Sequence, residues 1–229
     1  MELEFSSDER LSGTERNGEA RGHLRKNGGG LHEDERLPDS GIPSESRHLS
    51  GTEQTGSVIP EFSGVLDGEN HKITGLKAPL FGQLSGTVSN VAIDAGAIEI
   101  GNSVDTTVGI FANTMTNATV EKVMIANGSI SSTAGKAAGF AGTVTDSTVK
   151  NIFIQGRVNA VSTASGFAET SHHSVMENIY ANIDVNGADG AGFLVNSTGE
   201  NSYKNICSIG NVAENMYKLA KTEITFTNA

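Results

Sequence analysis

The sequence predicts an all-β fold: a right-handed parallel β-helix, or solenoid, of about five to six coils, preceded by a disordered N-terminal segment. Three observations lead there. First, a Phe recurs as Phe81, Phe111, Phe140, Phe167 and Phe193, at spacings of 30, 29, 27 and 26 residues. Self-similarity at a period of this size marks a repeat architecture. Second, each Phe is followed by a second box: TVSNVAI, TVEKVMI, TVKNIFI, VMENIYA and SYKNICS. Third, the repeats are dense in Gly, Thr, Ser, Asn and Val, which are poor helix formers. A propeller blade would be longer and carry aromatic signatures, and a leucine-rich repeat needs a Leu ladder. The chain has no Trp, and Val, Ile and Ala fill its columns.

The columns give the course of one coil. Aligned on Asn90, Lys122, Asn151, Asn178 and Asn205, the residues two positions earlier are Val88, Val120, Val149, Met176 and Tyr203. One and three positions later stand Val91/Ile93, Val123/Ile125, Ile152/Ile154, Ile179/Ala181 and Ile206/Ser208. Alternating apolar residues mark a strand with one buried face. The phase flips across the Asn column, so the chain must bend there, and Asn tolerates the left-handed backbone that a bend uses. A Gly or Asn follows (Gly96, Gly128, Gly156, Asn182, Gly210) and leads to a further apolar position, Ile98, Ile130, Val158, Val185 and Val212. Strand, bend, strand, turn, strand makes one coil, and each coil pairs with the next at roughly 4.8 Å.

Taken in order, residues 1–56 are rich in Glu, Arg, Gly and Ser and nearly free of β-branched and aromatic residues. Such a segment cannot bury enough apolar surface to offset its ordering entropy. It is expected to be a disordered low-complexity or artificially appended tail, and LSGTER (11–16) nearly repeats as LSGTEQ (49–54). The solenoid domain is placed at 57–229: an opening cap at 57–78, regular coils at 79–215, and the start of a further coil at 216–229. In the cap, Phe62, Val65, Ile73 and Leu76 are the expected apolar positions around a turn at Asp67-Gly68. The tail reads as one more strand, ITFT, with no coil completed after it, as expected of a piece of something longer.

Composition limits the chemistry. The net charge of −11 argues against a nucleic-acid partner. No run of about 18 apolar residues is present, so no membrane insertion is expected. The N-terminus lacks a signal-peptide pattern. The single Cys207 cannot form an internal disulfide and falls between inward columns, facing out. His32-Glu33-Asp34-Glu35-Arg36 begins like a zinc motif, but Arg stands where the second His belongs. Leu37-Pro38-Asp39-Ser40-Gly41 departs from a sortase signal at Ser40.

Asp67, Asn70 and His71 read as polar residues of a tight turn rather than a catalytic cluster. His172 and His173 are adjacent, and neighbours on an extended chain point opposite ways, so they read as loop residues rather than zinc ligands. The Asp184–Gly190 loop has oxygen ligands without EF-hand spacing. Nothing resembles a phosphate-binding glycine loop, a nucleophile elbow or the carboxylate pair of a polysaccharide-cleaving enzyme. No catalytic, cofactor-binding or metal-binding residue is therefore assigned. One outward column stands out: Ser89, Glu121, Lys150, Glu177 and Lys204. It predicts an alternating surface ladder of Glu121, Lys150, Glu177 and Lys204 that fixes coil register. Each exposed pair is worth on the order of 0.2–1 kcal/mol.

The opening FSGVLDGENHKITGLKAPLFGQLSGTVSNVAI resembles the N-terminal repeat region of streptococcal immunoglobulin A-specific zinc metalloendopeptidases and related surface proteases. These carry short Gly-Leu/Phe-Gly repeats called GLUG motifs. The matching copies are Leu80-Phe81-Gly82, Gly109-Ile110-Phe111-Ala112, Gly139-Phe140-Ala141-Gly142, Gly166-Phe167-Ala168 and Gly192-Phe193-Leu194. The resemblance covers roughly residues 59–220. The family's H-E-x-x-H helix is absent, so no catalytic residue carries over. What the resemblance implies is a noncatalytic part of an exported cell-surface protease, with zinc only in a separate catalytic domain. The implied partners are the rest of a larger polypeptide and a host immunoglobulin or another extracellular protein. The other readings weighed are a GLUG-repeat adhesin module and, below it, a carbohydrate-active β-helix enzyme.

Overall fold

The computed structural model describes residues 56–101 and 106–227, and the tail at 1–55 lies outside the described residues. All described regular structure is β, in three parallel sheets that each coil visits in turn. The first is a six-stranded sheet, termed here the Phe sheet: Ile59–Phe62, Phe81–Leu84, Ala112–Thr116, Ala141–Thr145, Ala168–His172 and Leu194–Thr198. The long sheet is eight-stranded. Val65–Asp67 and Lys72–Thr74 both pair with Thr87–Ile100, followed by Thr119–Ser132, Thr148–Ala160, Val175–Asn186, Ser202–Ile209 and Phe226–Thr227. A four-stranded short sheet closes the coil: Thr107–Gly109, Lys136–Ala138, Thr163–Ser165 and Asp189–Ala191. Every pairing is parallel and joins equivalent strands of successive coils, which is a β-solenoid.

The core is made of the repeat columns. Phe81, Phe111, Phe140, Phe167 and Phe193 are all fully buried. Their rings form a continuous stack, tilted at Phe81–Phe111 (5.3 Å, 71°) and nearly coplanar at Phe111–Phe140 (4.7 Å, 8°) and Phe140–Phe167 (4.8 Å, 4°). The glycine ahead of Phe140, Phe167 and Phe193 has a steric cause, since a Cβ on Gly166 would run into the Gly192 carbonyl oxygen of the next coil; Leu80 and Ile110 stand at this position in the first two coils. Val88, Val120, Val149, Met176 and Tyr203 stand opposite one another and are buried, as are Ile98, Ile130, Val158 and Val185.

The bend lies where the apolar phase flips. Asn90, Lys122, Asn151, Asn178 and Asn205 have φ of 54°, 55°, 55°, 56° and 53°. The left-handed residue lets one continuous strand turn the corner without breaking its ladder. Lys122 holds the same angle, so the column demands a backbone conformation that Asn merely adopts most cheaply.

Two sequence expectations are corrected. Val65 was assigned to the apolar face, but it is 80% exposed and Leu66 packs against the core instead. The register sets Leu66 opposite Val88 and Val65 opposite Thr87. Asn182 was assigned to the glycine column, but the register pairs Gly156 with Ile183. The first two coils carry one more residue between the bend and this column, and the ladder shifts between Ile154 and Gly156. At Gly156 itself a Cβ would strike the Gly128 carbonyl, so only glycine fits.

Beyond residue 215 the chain keeps stacking. Ala191 bridges to Tyr217, and Phe226–Thr227 pairs with Tyr203–Lys204. The Leu219 carbonyl accepts from the Phe193 N–H at 2.8 Å, so Leu219 continues the Phe column.

Candidate functional site

With the inward columns filled by core, chemistry is confined to the outward ones. The register stacks Asp67, Ser89, Glu121, Lys150, Glu177 and Lys204 in one column beside the bend. Glu177 sits between two ammonium groups, Lys150 at 3.1 Å and Lys204 at 3.4 Å. Hydrogen bonding and charge from Lys150, then from Lys204, hold its carboxyl below the ordinary value of 4.5. The expected ladder is modified at Glu121. Its carboxylate accepts from Asn151 Nδ2 at 3.2 Å and lies 3.8 Å from Lys122 Nζ, its charged neighbour on the same strand.

Next to the charges runs an amide ladder. Asn205 Nδ2 donates to Asn178 Oδ1, and Asn178 Nδ2 to Asn151 Oδ1, each at 2.9 Å. Below it, Asn90 Nδ2 donates to Asp67 Oδ1 at 2.9 Å. That bond, with the Glu69 N–H, lowers the Asp67 pKa. Asp67 thus serves its turn, where Glu69 and Asn70 have φ of 48° and 64°.

The histidines differ from expectation. His173 has φ of 46°, so the chain turns between the two residues and their rings lie together, centroids 3.9 Å apart. His172 Nδ1 meets Thr198 Oγ1 at 3.1 Å, and His173 Nδ1 lies 3.6 Å from Asp146. Glu177 is committed to its lysines. In the 184–190 loop, Asp184 Oδ1 accepts from the Asn211 backbone N–H (2.8 Å) and Nδ2 (3.0 Å), and Asp189 pairs with Lys221. Among the described residues, no three of His, Cys, Asp and Glu gather as a metal-ion cage. No described helix is long and apolar enough to cross a membrane. His32–Arg36 and Leu37–Gly41 lie outside the described residues.

Three features went unread in the sequence. A second left-handed column, Asn117, Asp146, His173 and Gly199 (φ 53°, 48°, 46° and 69°), marks the corner between the Phe sheet and the long sheet. Its spacings of 29, 27 and 26 residues match the Phe column and could have revealed it. Behind it lies a buried hydroxyl ladder. Ser147 Oγ accepts from the Ala118 N–H (3.0 Å), Ser174 Oγ from the Ser147 N–H (3.2 Å), and Asn201 Oδ1 from the Ser174 N–H (2.8 Å). Finally, the mostly buried Glu169 carboxylate is held by Lys136 Nζ at 2.8 Å and by the Thr107 hydroxyl.

The outer side of the long sheet also carries an apolar stripe. The register stacks Ala92, Met124, Phe153, Tyr180 and Cys207. Met124 is 46% and Tyr180 37% exposed, and Cys207 is an exposed free thiol. The Phe153 and Tyr180 rings are parallel, 5.4 Å apart at 2°. They stack on one another along the solenoid.

Residues 48–128 match the family model described as the M26 IgA1-specific metallo-endopeptidase N-terminal region. This bears out the resemblance read from the sequence over that stretch, about a third of the chain. The match begins ahead of the 59–220 span that the repeats indicated and ends in the coil of Phe111, while the solenoid continues with the same columns. No curated protein and no solved structure matches the chain.

Proposed function

We propose that this chain is a noncatalytic β-solenoid region of a secreted bacterial surface zinc metalloprotease of the immunoglobulin A1-protease type, with a scaffold or substrate-positioning role. The observation that carries the reading is the match of residues 48–128 to the N-terminal region of that family. The geometry is consistent with it. Lys150, Glu177 and Lys204, and the amides of Asn151, Asn178 and Asn205, form ladders that join coil to coil, as a rigid spacer needs. In this reading zinc belongs to a separate catalytic domain, and the protein works outside the cell.

The test is binding of the full chain to immunoglobulin A1, run beside a zinc-supplemented cleavage assay of the same material. Binding without cleavage supports substrate positioning. Neither binding nor cleavage leaves a spacer, or a GLUG-repeat adhesin module with another ligand. Cleavage by this chain refutes the noncatalytic reading.

A further inference from the structure

The apolar stripe on the long sheet is bordered by two charged columns. Across the bend at Asn151 stand Glu121, Lys150, Glu177 and Lys204; on the other side Arg157 stacks on Asp184. Both columns reverse sign about the same level, midway between the coils of Lys150 and Glu177. Arg157 is exposed and forms no ion pair among the described residues. Lys122, too, points its charge to the rim beside Glu121.

We propose that this face is a self-complementary interface through which two copies of the chain pack antiparallel. A two-fold axis running along the strands, between the coils of Phe153 and Tyr180, swaps those coils and swaps the coil of Met124 with that of Cys207. Under it Arg157 faces the other copy's Asp184, Phe153 faces Tyr180, Gln155 faces Asn182, and Met124 faces Cys207. At the rim, Lys150 meets Glu177 and Glu121 meets Lys204. Within these four coils each of these charges meets its opposite, because Glu121, Lys150, Glu177 and Lys204 alternate in sign and so do Arg157 and Asp184. A partner in the parallel sense, with the axis along the solenoid, would set Arg157 on Lys150 and Asp184 on Glu177, like on like. An isologous two-fold interface requires this kind of self-matching patch.

The size is modest. The four coils that the axis pairs, at ~4.8 Å each, give a patch about 19 Å long and about 25 Å wide, or ~480 Å² per copy, below the usual size of specific interfaces. The dimer is therefore expected to dissociate in the micromolar range.

Sedimentation velocity of the full chain from about 1 to 200 μM tests the proposal. A monomer–dimer equilibrium is expected. Arg157→Asp places two carboxylates face to face twice per dimer and is expected to weaken association on the order of 10- to 100-fold. Adding Asp184→Arg to it restores the opposite pairing and most of the affinity. A second measurement does not depend on those charges. Met124→Cys, oxidised by diamide, should give a covalent dimer whose disulfide joins position 124 of one copy to Cys207 of the other. Within one chain these positions are three coils, about 14 Å, apart, beyond disulfide reach. The unaltered chain, whose Cys207 thiols are equally far apart across the axis, should not cross-link. A chain that stays monomeric at all concentrations overturns the proposal and leaves the stripe to a different protein. So does a dimer insensitive to Arg157→Asp, or one that cross-links through Cys207 alone.

Discussion

Phe140→Ala is the sharpest test of the ring stack as the spine of the core. Phe140 is fully buried and has an aromatic neighbour on each face, Phe111 at 4.7 Å and Phe167 at 4.8 Å. Burying a Phe removes roughly 150–250 Å² from water, which at about 25 cal/mol per Å² is about 4–6 kcal/mol as an upper bound. Measured Phe truncations in cores cost about 3–5 kcal/mol. Losing two ring stacks, each worth about 0.5–1.5 kcal/mol, puts this site near the top of that range. Phe62 provides the comparison. It is only partly buried and, among the described residues, meets a single ring, Phe81, at 5.5 Å and 41°. Phe62→Ala should cost about 2 kcal/mol. Urea unfolding followed by far-ultraviolet circular dichroism measures both. The slope of the transition also matters: solenoid coils touch only their neighbours, so a cut at mid-stack can split one cooperative transition into two. A difference of less than about 1 kcal/mol between the variants would refute the claim that the central rings carry the fold.

Ile152→Asp, at a 2%-exposed position, buries an unpaired charge and should cost about 4 kcal/mol or more; an unchanged thermal melt would show that the column is not inward. Glu177→Lys sets like charges beside Lys150 and Lys204, and its melting temperature should fall by less than that of Ile152→Asp, with the loss shrinking in high salt. Lys136→Met strands the Glu169 carboxylate with Thr107 and should cost about 3 kcal/mol, while the double change Lys136→Met/Glu169→Leu recovers much of it; a double variant as unstable as the single one would show that the pair is not coupled. The carboxyls of Asp67, Asp94, Glu177 and Asp189 all sit below their ordinary values when folded, through hydrogen bonds from Asn90, Asn127, Lys150 and Lys221 respectively. The unfolded chain therefore binds more protons as pH drops, so stability present above about pH 5 is lost through the carboxylate range; melting temperatures equal at pH 7 and pH 3 would contradict this.

What the sequence made legible was whatever repeats in side-chain identity. The Phe, Val/Ile and Asn columns recur in kind, so their period is visible and their inward or outward sense follows from alternation. Where two apolar residues are adjacent, as at Val65-Leu66, alternation cannot choose between them; only pairing with Thr87-Val88 does. The Asn182 assignment failed for a different reason. Asn182 was chosen by residue type, four positions after Asn178, whereas Gly156 and Gly210 stand five positions after their bend residues, the distance that reaches Ile183. The second left-handed corner was missed because its column changes identity from Asn to Asp to His to Gly, and His is seldom read as a bend residue. That corner also turned the two histidines to one side, against the simple rule for neighbours on a strand. Ser147 and Ser174 were not singled out in the sequence. They are buried because each hydroxyl satisfies a backbone N–H of the neighbouring coil that the corner leaves without a ladder partner.

The two left-handed corners carry a further consequence. Lys122 occupies the Asn column at φ 55° and breaks the amide ladder there, yet the coil keeps its register on both sides. The backbone therefore does not depend on an unbroken amide ladder, and the outward columns are free to vary in chemistry while the inward ones hold shape. Glu121 bonds Asn151 and stacks between Ser89 and Lys150 in the ladder register. A column whose register is already secured by backbone hydrogen bonds and a buried Phe stack needs no alternation of sign, least of all one that Arg157 and Asp184 repeat beyond the stripe. Alternation that exceeds what the coil requires is better accounted for by a surface on which it is read, and the order of signs along both columns matches a surface running in the opposite direction.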